Sequence, residues 1–259
     1  MKELNAIFTL AQRDLLKFLR SRGRIISTFI FPFVFVGILG KSLEANIGGN
    51  IGYNFLVFTF TGVLGQTLFQ STATGIISLI EDRENDFSQE IFVSPISRYS
   101  IIVGKILGES LVAICQVVGV IVFGFIIGVP MTLMQLASLI PAAVIVCFFG
   151  GAFGVLVLSN LNSQRTANQI FPFLILPQFF LAGVFSPIKE LPGYLFILSR
   201  IAPMTYAVDF IRSIFYLGKP EYSKVVLYNP VTDLLIIGVL FTVFIAIGTV
   251  VFTRNERNR

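Results

Sequence analysis

The residues best suited to chemistry are five carboxylates close together in the chain, namely Glu81, Asp82, Glu84, Asp86 and Glu90. Paired carboxylates can act as general acids and bases. The chain has no histidine, however, which excludes Ser-His dyads, His-ligated zinc and histidine acid/base steps. Asp and Glu are also nearly missing from the long apolar runs, so a buried carboxylate pair is hard to build. We therefore expect neither a catalytic site nor a metal site.

The apolar residues that follow the carboxylates indicate a docking element instead. A short helix over 84–93 would expose the carboxylates together with Phe87, Ile91 and Phe92, and Pro95 cannot continue it. Exposed Phe and Ile side chains on such a helix favour insertion into the groove of a partner protein. The alternative is a solvated loop whose phenylalanines dip back into lipid.

The elements around this segment are predicted to cross a membrane. The 259 residues are 55% hydrophobic and 13% charged, against about 25% charged in soluble domains. A crossing needs about 20 mostly apolar residues. Six runs approach that length, at 25–40, 55–80, 106–129, 136–158, 170–185 and 231–252. The pattern predicts an all-α polytopic membrane protein with a single transmembrane domain over 1–259.

The positions of Lys and Arg predict the orientation. With six crossings both termini share a side, and most of the cations lie at helix ends on that side. Five of the six cations on the other side fall within one long loop, where the positive-inside rule has least force. Both termini are therefore predicted to be cytoplasmic. This rule also accounts for the net charge of +5, so we expect no nucleic-acid partner.

The residues 2–22 have the pattern of an amphipathic helix. Apolar residues recur at helical spacing, while Arg13 and Lys17 are among the polar residues of the other face. The pattern predicts an interface helix along the cytoplasmic leaflet. Two readings stay open, a simple membrane anchor and a helix whose polar face also contacts a cytosolic partner.

The segment 186–230 is predicted to form short re-entrant helices at the outer leaflet before the last crossing. Pro187, Pro192 and Pro203 divide it into short amphipathic pieces. Asp209 and Arg212 are spaced to pair one helical turn apart. The segment either closes a dimer as a lid or bends aside as an outer gate.

Polar and aromatic residues within the crossings mark a candidate substrate path. Polar side chains are costly in lipid and should face a partner helix or a cavity. The path residues are Thr59, Gln66, Gln70, Phe171, Phe173, Gln178 and Phe179. Their mixture suits a hydrophobic or amphipathic molecule, although helix packing is the alternative explanation for any one of them.

Two carboxylates lie within the predicted crossings, Glu109 and Asp233, and both are near an end. Glu109 is predicted to pair with Lys105 one turn earlier, near the cytoplasmic interface. An ion-coupled secondary carrier would be expected to place ionisable groups at membrane depth. Glu109 is therefore the residue on which that alternative function depends.

The sequence also lacks the phosphate-binding loop of an ATPase. That loop needs a glycine five positions before its Gly-Lys-Ser/Thr end. Gly40-Lys41-Ser42 imitates the end, but Phe35 occupies the position of the first glycine. A transport protein with this sequence would take its energy from another subunit.

The order of these features resembles the membrane-spanning permease subunit of type-2 ABC exporters, and within them the antibiotic and multidrug exporter permeases. The resemblance covers essentially the whole chain. The motifs that carry it are Ser94-Pro95-Ile96-Ser97, Gly104-Lys105, Gly183-Val184-Phe185-Ser186-Pro187, Leu191-Pro192 and Ala202-Pro203-Met204-Thr205-Tyr206 with Asp209 and Arg212.

The resemblance implies that 84–93 is the coupling helix, inserted into a cytosolic ABC ATPase subunit that the interface helix also touches. The coupling residues would be Arg83, Glu84, Phe87, Glu90, Ile91, Phe92 and Pro95. The working unit would contain two such ATPases and two permeases, as a homodimer or a heterodimer. ATP and Mg²⁺ would bind the ATPases, and this chain would bind no cofactor and catalyse no reaction. The expected location is the cell membrane of a bacterium or archaeon, with a drug, a lipid or a lipid-linked glycan as cargo.

Overall fold

The computed structural model describes residues 2–42, 44, 52–84, 97–161 and 163–257. Its α-helices are α1 (Lys2–Arg20), α2 (Arg22–Pro32), α3 (Phe55–Gly75), α4 (Ser78–Glu84), α5 (Arg98–Ile126), α6 (Leu133–Leu158), α7 (Gln164–Leu181), α8 (Gly193–Ile201), α9 (Pro203–Phe215), α10 (Tyr222–Val225) and α11 (Pro230–Arg257). A π-helical stretch, Phe33–Gly40, continues α2. The described residues contain no strand, which confirms the predicted all-α fold.

Five stretches of the described chain are long and apolar enough to cross a membrane. They are Arg22–Gly40, Phe55–Asp82, Tyr99–Ile126, Leu133–Leu158 and Tyr222–Val251. A sixth candidate is the pair of α8 and α9, which meet at a bend of 91°. Such a pair is either a broken crossing or a re-entrant loop. The chain is therefore a multi-pass membrane protein.

The predicted fifth crossing, 170–185, differs from this set. It falls on α7, which has 18 residues and begins with Gln164-Arg165-Thr166-Ala167-Asn168-Gln169. Five of these six residues are polar, and they leave α7 less apolar than the described stretches that could cross a membrane. The bent pair of α8 and α9 is the alternative sixth span.

Helix α3 lies at the centre of the bundle. It contacts α5, α6 and α9, and nearly all of its residues are buried. Gly150 and Gly154 of α6 face it so closely that a β-carbon at either position would overlap the α3 backbone. Stacked rings of Phe149 and Phe244, with centroids 5.9 Å apart, hold α11 against α6. Small residues and aromatic contacts thus set the helix packing, as expected where lipid surrounds the bundle.

Helix α1 packs along the first half of α5. Gly104 and Gly108 of α5 allow this approach, since a β-carbon there would lie 3.2 Å from Ile7 Cα and 3.1 Å from Ala11 Cα. On its other side α1 exposes Leu4, Phe8 and Leu19. The location of this second apolar face at a membrane leaflet stays a prediction.

Candidate functional site

A cluster of charged residues joins α1, α4 and α5. We call it the basal charge cluster, and its members are Arg13, Asp14, Lys17, Asp82 and Lys105. Lys105 Nζ lies 2.8 Å from Asp14 Oδ2 and 3.2 Å from Asp82 Oδ2. Arg13 binds both carboxylates, and Lys17 Nζ lies 3.2 Å from Asp82 Oδ1. The cluster fixes the helices on either side of the segment 85–96 to α1.

Three members of the cluster are buried, with Asp14, Asp82 and Lys105 at 3%, 7% and 1% exposure. Buried ions are tolerated where each has an oppositely charged partner in good geometry. The Lys105 ammonium supplies that partner for both carboxylates. The predicted pairing of Lys105 with Glu109 is therefore wrong, because Lys105 turns towards α1 and α4.

Glu109 is bound elsewhere. Its carboxylate accepts a hydrogen bond from the Ser78 hydroxyl at 3.0 Å and lies 3.5 Å from Arg24 Nη2. Gly75 leaves the space for it, since a β-carbon there would overlap the carboxylate. Glu109 is 1% exposed, so in this arrangement it ties α2, α4 and α5 together.

The start of the predicted coupling helix lies at the end of α4. Glu84 Oε1 accepts a hydrogen bond from the Gln164 amide at 2.9 Å, at the first residue of α7. A carboxylate at this position accepts a hydrogen bond from a backbone N–H that has no partner within the helix. Its negative charge also interacts favourably with the positive end of the helix dipole. Arg83 is in α4, but its side chain is not among those described. The remaining predicted residues lie outside the described ranges, and they are Phe87, Glu90, Ile91, Phe92 and Pro95.

Two adjoining cavities lie beside α3. The polar cavity has a volume of about 250 Å³, and its lining includes Arg24, Ser27, Thr28, Gln66, Gln70 and Gln116. The aromatic cavity has a volume of about 330 Å³, and its lining includes Phe35, Gln70, Phe171, Ile175, Phe179 and Phe180. Gln70 and Thr74 border both cavities, so a polar space on α2, α3 and α5 adjoins an apolar space on α3 and α7.

Four of the predicted path residues line these cavities. Gln66 and Gln70, which are hydrogen-bonded to each other, border the polar cavity, and Phe171 and Phe179 border the aromatic cavity. Gln66 and Gln70 are one helical turn apart on α3, which explains why they reach the same space.

The other three path residues lie outside both cavities. Thr59 is fully buried within the bundle, and Phe173 is 81% exposed on α7. Gln178 accepts a hydrogen bond from the Met204 amide at 3.2 Å and donates one to the Leu174 carbonyl at 2.9 Å. It therefore connects α7 to α9, a packing role.

The prolines of the outer segment mark the starts of helices. Pro187 precedes the 3₁₀ turn Ile188–Glu190, Pro192 precedes α8, and Pro203 is the first residue of α9. Proline suits these positions because the first turn of a helix leaves its amides unpaired. The Tyr206 hydroxyl donates to the Arg200 carbonyl at 2.6 Å and so holds the bend between α8 and α9.

The predicted ion pair of Asp209 with Arg212 does not form. Arg212 Nη2 donates to the Gly183 carbonyl at 2.8 Å and to the Phe58 carbonyl at 3.3 Å, and the guanidinium lies 3.9 Å from the Phe58 ring centroid. The Asp209 carboxylate accepts the amides of Leu227 and Tyr228 at 2.9 and 2.7 Å. Each charge thus holds a different part of the backbone.

Sequence reasoning missed Asp14 and Asp233 as structural residues. The signal for Asp14 was its spacing, because it lies on the same face of α1 as Ala11 and Phe18, and all three are buried. Asp233 looked like a residue at the end of the last crossing, but it is fully buried beside Asp209. The buried carboxylate pair that the sequence made hard to build is therefore present in the structure.

The family model of the ABC-2 type transporters matches residues 5–216. The chain belongs to the ABC-2 type transporter family. The match runs from α1 to the end of α9 and includes the basal charge cluster, both cavities and Arg212. The chain is accordingly a transport permease.

Several curated proteins resemble this ABC-2 permease. The transport permease named ycf38 of Cyanophora paradoxa is 25% identical over 82% of this chain and 74% of its own length. The multidrug ABC transporter permease named YbhR of Escherichia coli K12 is 26% identical over 73% of this chain and half of its own length. Nodulation protein J of Rhizobium meliloti is 23% identical over 76% of this chain and 75% of its own length.

Proposed function

We propose that this chain is the permease subunit of an ATP-driven exporter that moves amphipathic molecules out across the cell membrane. Two permeases, identical or different, would join two cytosolic ATPase subunits that bind ATP and Mg²⁺. The family membership and the relative named as a multidrug ABC transporter permease support this assignment.

The observation that carries the substrate class is the meeting of two unlike cavities at Gln70 and Thr74. A polar head group fits the cavity of amides, hydroxyls and Arg24, and a hydrocarbon or aromatic tail fits the cavity of phenylalanines. Ligand sites commonly combine an apolar lining with a few polar groups that fix orientation. A drug and a lipid both meet this description, and so does a lipid-linked glycan.

The coupling proposal places 84–93 against the ATPase. The basal charge cluster supports it, because α4 and α5, the helices before and after that segment, are both fixed to α1 by buried ions. A displacement of the segment would then move these helices together. Replacing Phe92 by alanine is expected to abolish transport while the complex still assembles and hydrolyses ATP.

The experiment purifies the chain from its native membrane, identifies its partners by mass spectrometry, and reconstitutes the complex in liposomes with a fluorescent amphipathic dye. We expect ATP-dependent, vanadate-sensitive dye movement. Gln70→Ala and Phe171→Ala should each raise KM about tenfold, as loss of about 1.4 kcal/mol of binding energy implies. Phe173→Ala is the matched control, since Phe173 lines neither cavity.

Two results would contradict the proposal. Dye movement driven by an ion gradient without ATP would favour the secondary carrier, with Glu109 as its coupling residue. ATP-driven movement that Gln70→Ala and Phe171→Ala leave unchanged would retain the exporter and reject the two cavities as the substrate site.

A further inference from the structure

Two buried carboxyl groups meet where the hairpin of α8 and α9 contacts the last helix. Asp209 lies on α9 and Asp233 in the first turn of α11. They are 1% and 0% exposed. The Asp209 carboxylate binds the amides of Leu227 and Tyr228, which lie just before the first turn of α11, and the Asp233 carboxyl adjoins it there. Two ionised carboxylates at this separation would repel each other in a medium of low dielectric constant.

The hydrogen bonds of the two residues are unequal. Asp209 accepts the amides of Leu227 and Tyr228, which stabilise a negative charge on it. Neither carboxyl oxygen of Asp233 receives a hydrogen bond from a donor among the described residues. An ionised carboxylate without a donor is costly to bury, whereas a neutral acid can itself donate.

The charged and titratable groups around the pair do not supply the missing donor. Arg212 and Lys189 are the cations that act on Asp209, and Arg212 is already bound to backbone carbonyls. Tyr206 and Tyr222 are the tyrosines that interact electrostatically with Asp233, and the Tyr206 hydroxyl already donates to the Arg200 carbonyl. Helix α6 packs against both α9 and α11 and carries no charged side chain.

We propose that the pair binds one proton, which resides on Asp233, so that its hydroxyl donates a hydrogen bond to ionised Asp209. This proton joins α9 to α11 and completes a chain of contacts from the outer hairpin through the Leu227 and Tyr228 amides to the last crossing. Loss of the proton would place two like charges side by side and separate the hairpin from α11. We call this hydrogen bond between Asp233 and Asp209 the latch. It forms when the pair holds its proton at acidic pH and breaks when the proton is lost at alkaline pH.

The first test uses two substitutions that the proposal ranks in opposite order. Asp233→Asn keeps a donor facing Asp209, so the purified full-length variant should unfold within a few degrees of the wild-type temperature. Asp209→Asn removes the carboxylate that accepts hydrogen bonds from the Leu227 and Tyr228 amides, and the new NH₂ group would face these N–H donors or the Asp233 hydroxyl. This variant should therefore unfold at a clearly lower temperature. If Asp209→Asn is as stable as Asp233→Asn, the assignment of the proton to Asp233 is overturned.

The second test detects the proton directly. Infrared spectra of the full-length chain in lipid nanodiscs, with ¹³C-carboxyl aspartate, should show the carbonyl stretch of a protonated acid at neutral pH. The band should shift in D₂O and disappear in Asp233→Asn. Identical spectra for wild type and Asp233→Asn would overturn the proposal.

The third test follows pH and needs only the wild-type chain if the variants fail to fold. The folded chain holds a proton that the unfolded chain releases at neutral pH, so wild-type stability should fall as pH rises from acidic to alkaline. The aspartic-acid band should fade over the same range. If the aspartic-acid band were unchanged or absent over the whole pH range, and stability did not fall as pH rose, the latch would be rejected. This test is independent of the proposed exporter function.

Discussion

Lys105 is the buried cation between the carboxylates of Asp14 and Asp82. Replacing it by methionine removes the charge and keeps most of the side-chain volume. Because both carboxylates then lose a partner that they need in a buried site, we expect Lys105→Met to lower the free energy of unfolding by about 3–5 kcal/mol. Denaturant unfolding of the purified chain in mild detergent measures the change.

Lys17→Met is the matched control for this substitution. Lys17 binds the same Asp82, but its side chain is 53% exposed. An exposed ion pair contributes only about 0–1 kcal/mol. If Lys17→Met and Lys105→Met lowered the free energy of unfolding by similar amounts, burial would not determine how much each ion pair of the cluster contributes to stability.

Glu3 links the first turn of α1 to the start of α5. It accepts the Ser97 amide at 3.1 Å, directly before α5. Hydrogen bonds from the Ser100 hydroxyl and the Ser97 backbone hold the pKa of the Glu3 carboxyl below its usual range. Its contribution to stability is therefore present above the pKa of the unfolded chain and is lost as pH falls through the lower, folded pKa.

Hydrogen exchange of the first turns of α1 tests this dependence. After correction for the intrinsic rates, protection should decrease on acidification in the wild-type chain. Glu3→Gln, which cannot ionise, should show less protection at neutral pH and no such decrease. An unchanged acid response in Glu3→Gln would assign the effect to other groups.

At the scale of elements, the crossing of α3 and α6 depends on two glycines one turn apart. A β-carbon at Gly150 would overlap the Thr72 hydroxyl and the Phe69 carbonyl, and one at Gly154 would lie 2.5 Å from the Ala73 carbonyl oxygen. Since backbone cannot move aside as a flexible side chain does, Gly150→Ala and Gly154→Ala should each lower the free energy of unfolding by about 1–3 kcal/mol.

Gly238→Ala supplies the control with the opposite sign. Gly238 also lies within a helix, α11, but among the described residues no atom outside its own stretch of helix lies within 4 Å of the position its β-carbon would take. Alanine should therefore stabilise by up to about 1 kcal/mol through helix propensity. A stabilising effect at Gly150 or Gly154 would mean that α3 and α6 do not approach as closely as described.

The elements themselves were largely predictable from the sequence, because their causes are local. Apolar runs predicted the long helices, and prolines with helical spacing predicted α8 and α9. Helix α7 was harder, since its apolar second half looks like a crossing while five of its first six residues are polar. Whether such a helix crosses the membrane depends on the helices packed beside it, and the hydropathy of the segment alone gives no information about them.

The pairing of charges was not predictable, because tertiary contacts decide it. Residues three or four apart on a helix are neighbours. This rule predicted an ion pair between Lys105 and Glu109 and another between Asp209 and Arg212. In the structure each of these residues instead contacts a group distant in the sequence, such as Asp14 for Lys105 and Leu227 for Asp209.

Gln66 and Gln70 were identified because polar residues in a crossing must face something other than lipid, and the polar cavity is what they face.

At the scale of the whole molecule, the two ends of the bundle differ in their ionic chemistry. One end holds the basal charge cluster, whose carboxylates are paired with Arg and Lys. The other end holds Asp209, whose partners are backbone amides, and Asp233. The cation-rich end is the one that the positive-inside rule places in the cytoplasm. The segment 84–93, which we propose as the coupling helix, begins at the end of α4 at this same end, where a cytosolic ATPase would reach it.

This orientation is testable by cysteine labelling in intact cells. With Cys115 and Cys147 replaced by serine, a single cysteine is introduced at Glu190 in the outer turn or at Ser21 between α1 and α2, both of which are exposed. We expect a membrane-impermeant maleimide to label Glu190→Cys in intact cells and Ser21→Cys only after permeabilisation. The reverse pattern would place the segment 84–93 outside the cell, beyond reach of any ATP-hydrolysing partner. It would therefore reject the orientation and the coupling proposal together, while the contacts of the cluster and of the two cavities would stand.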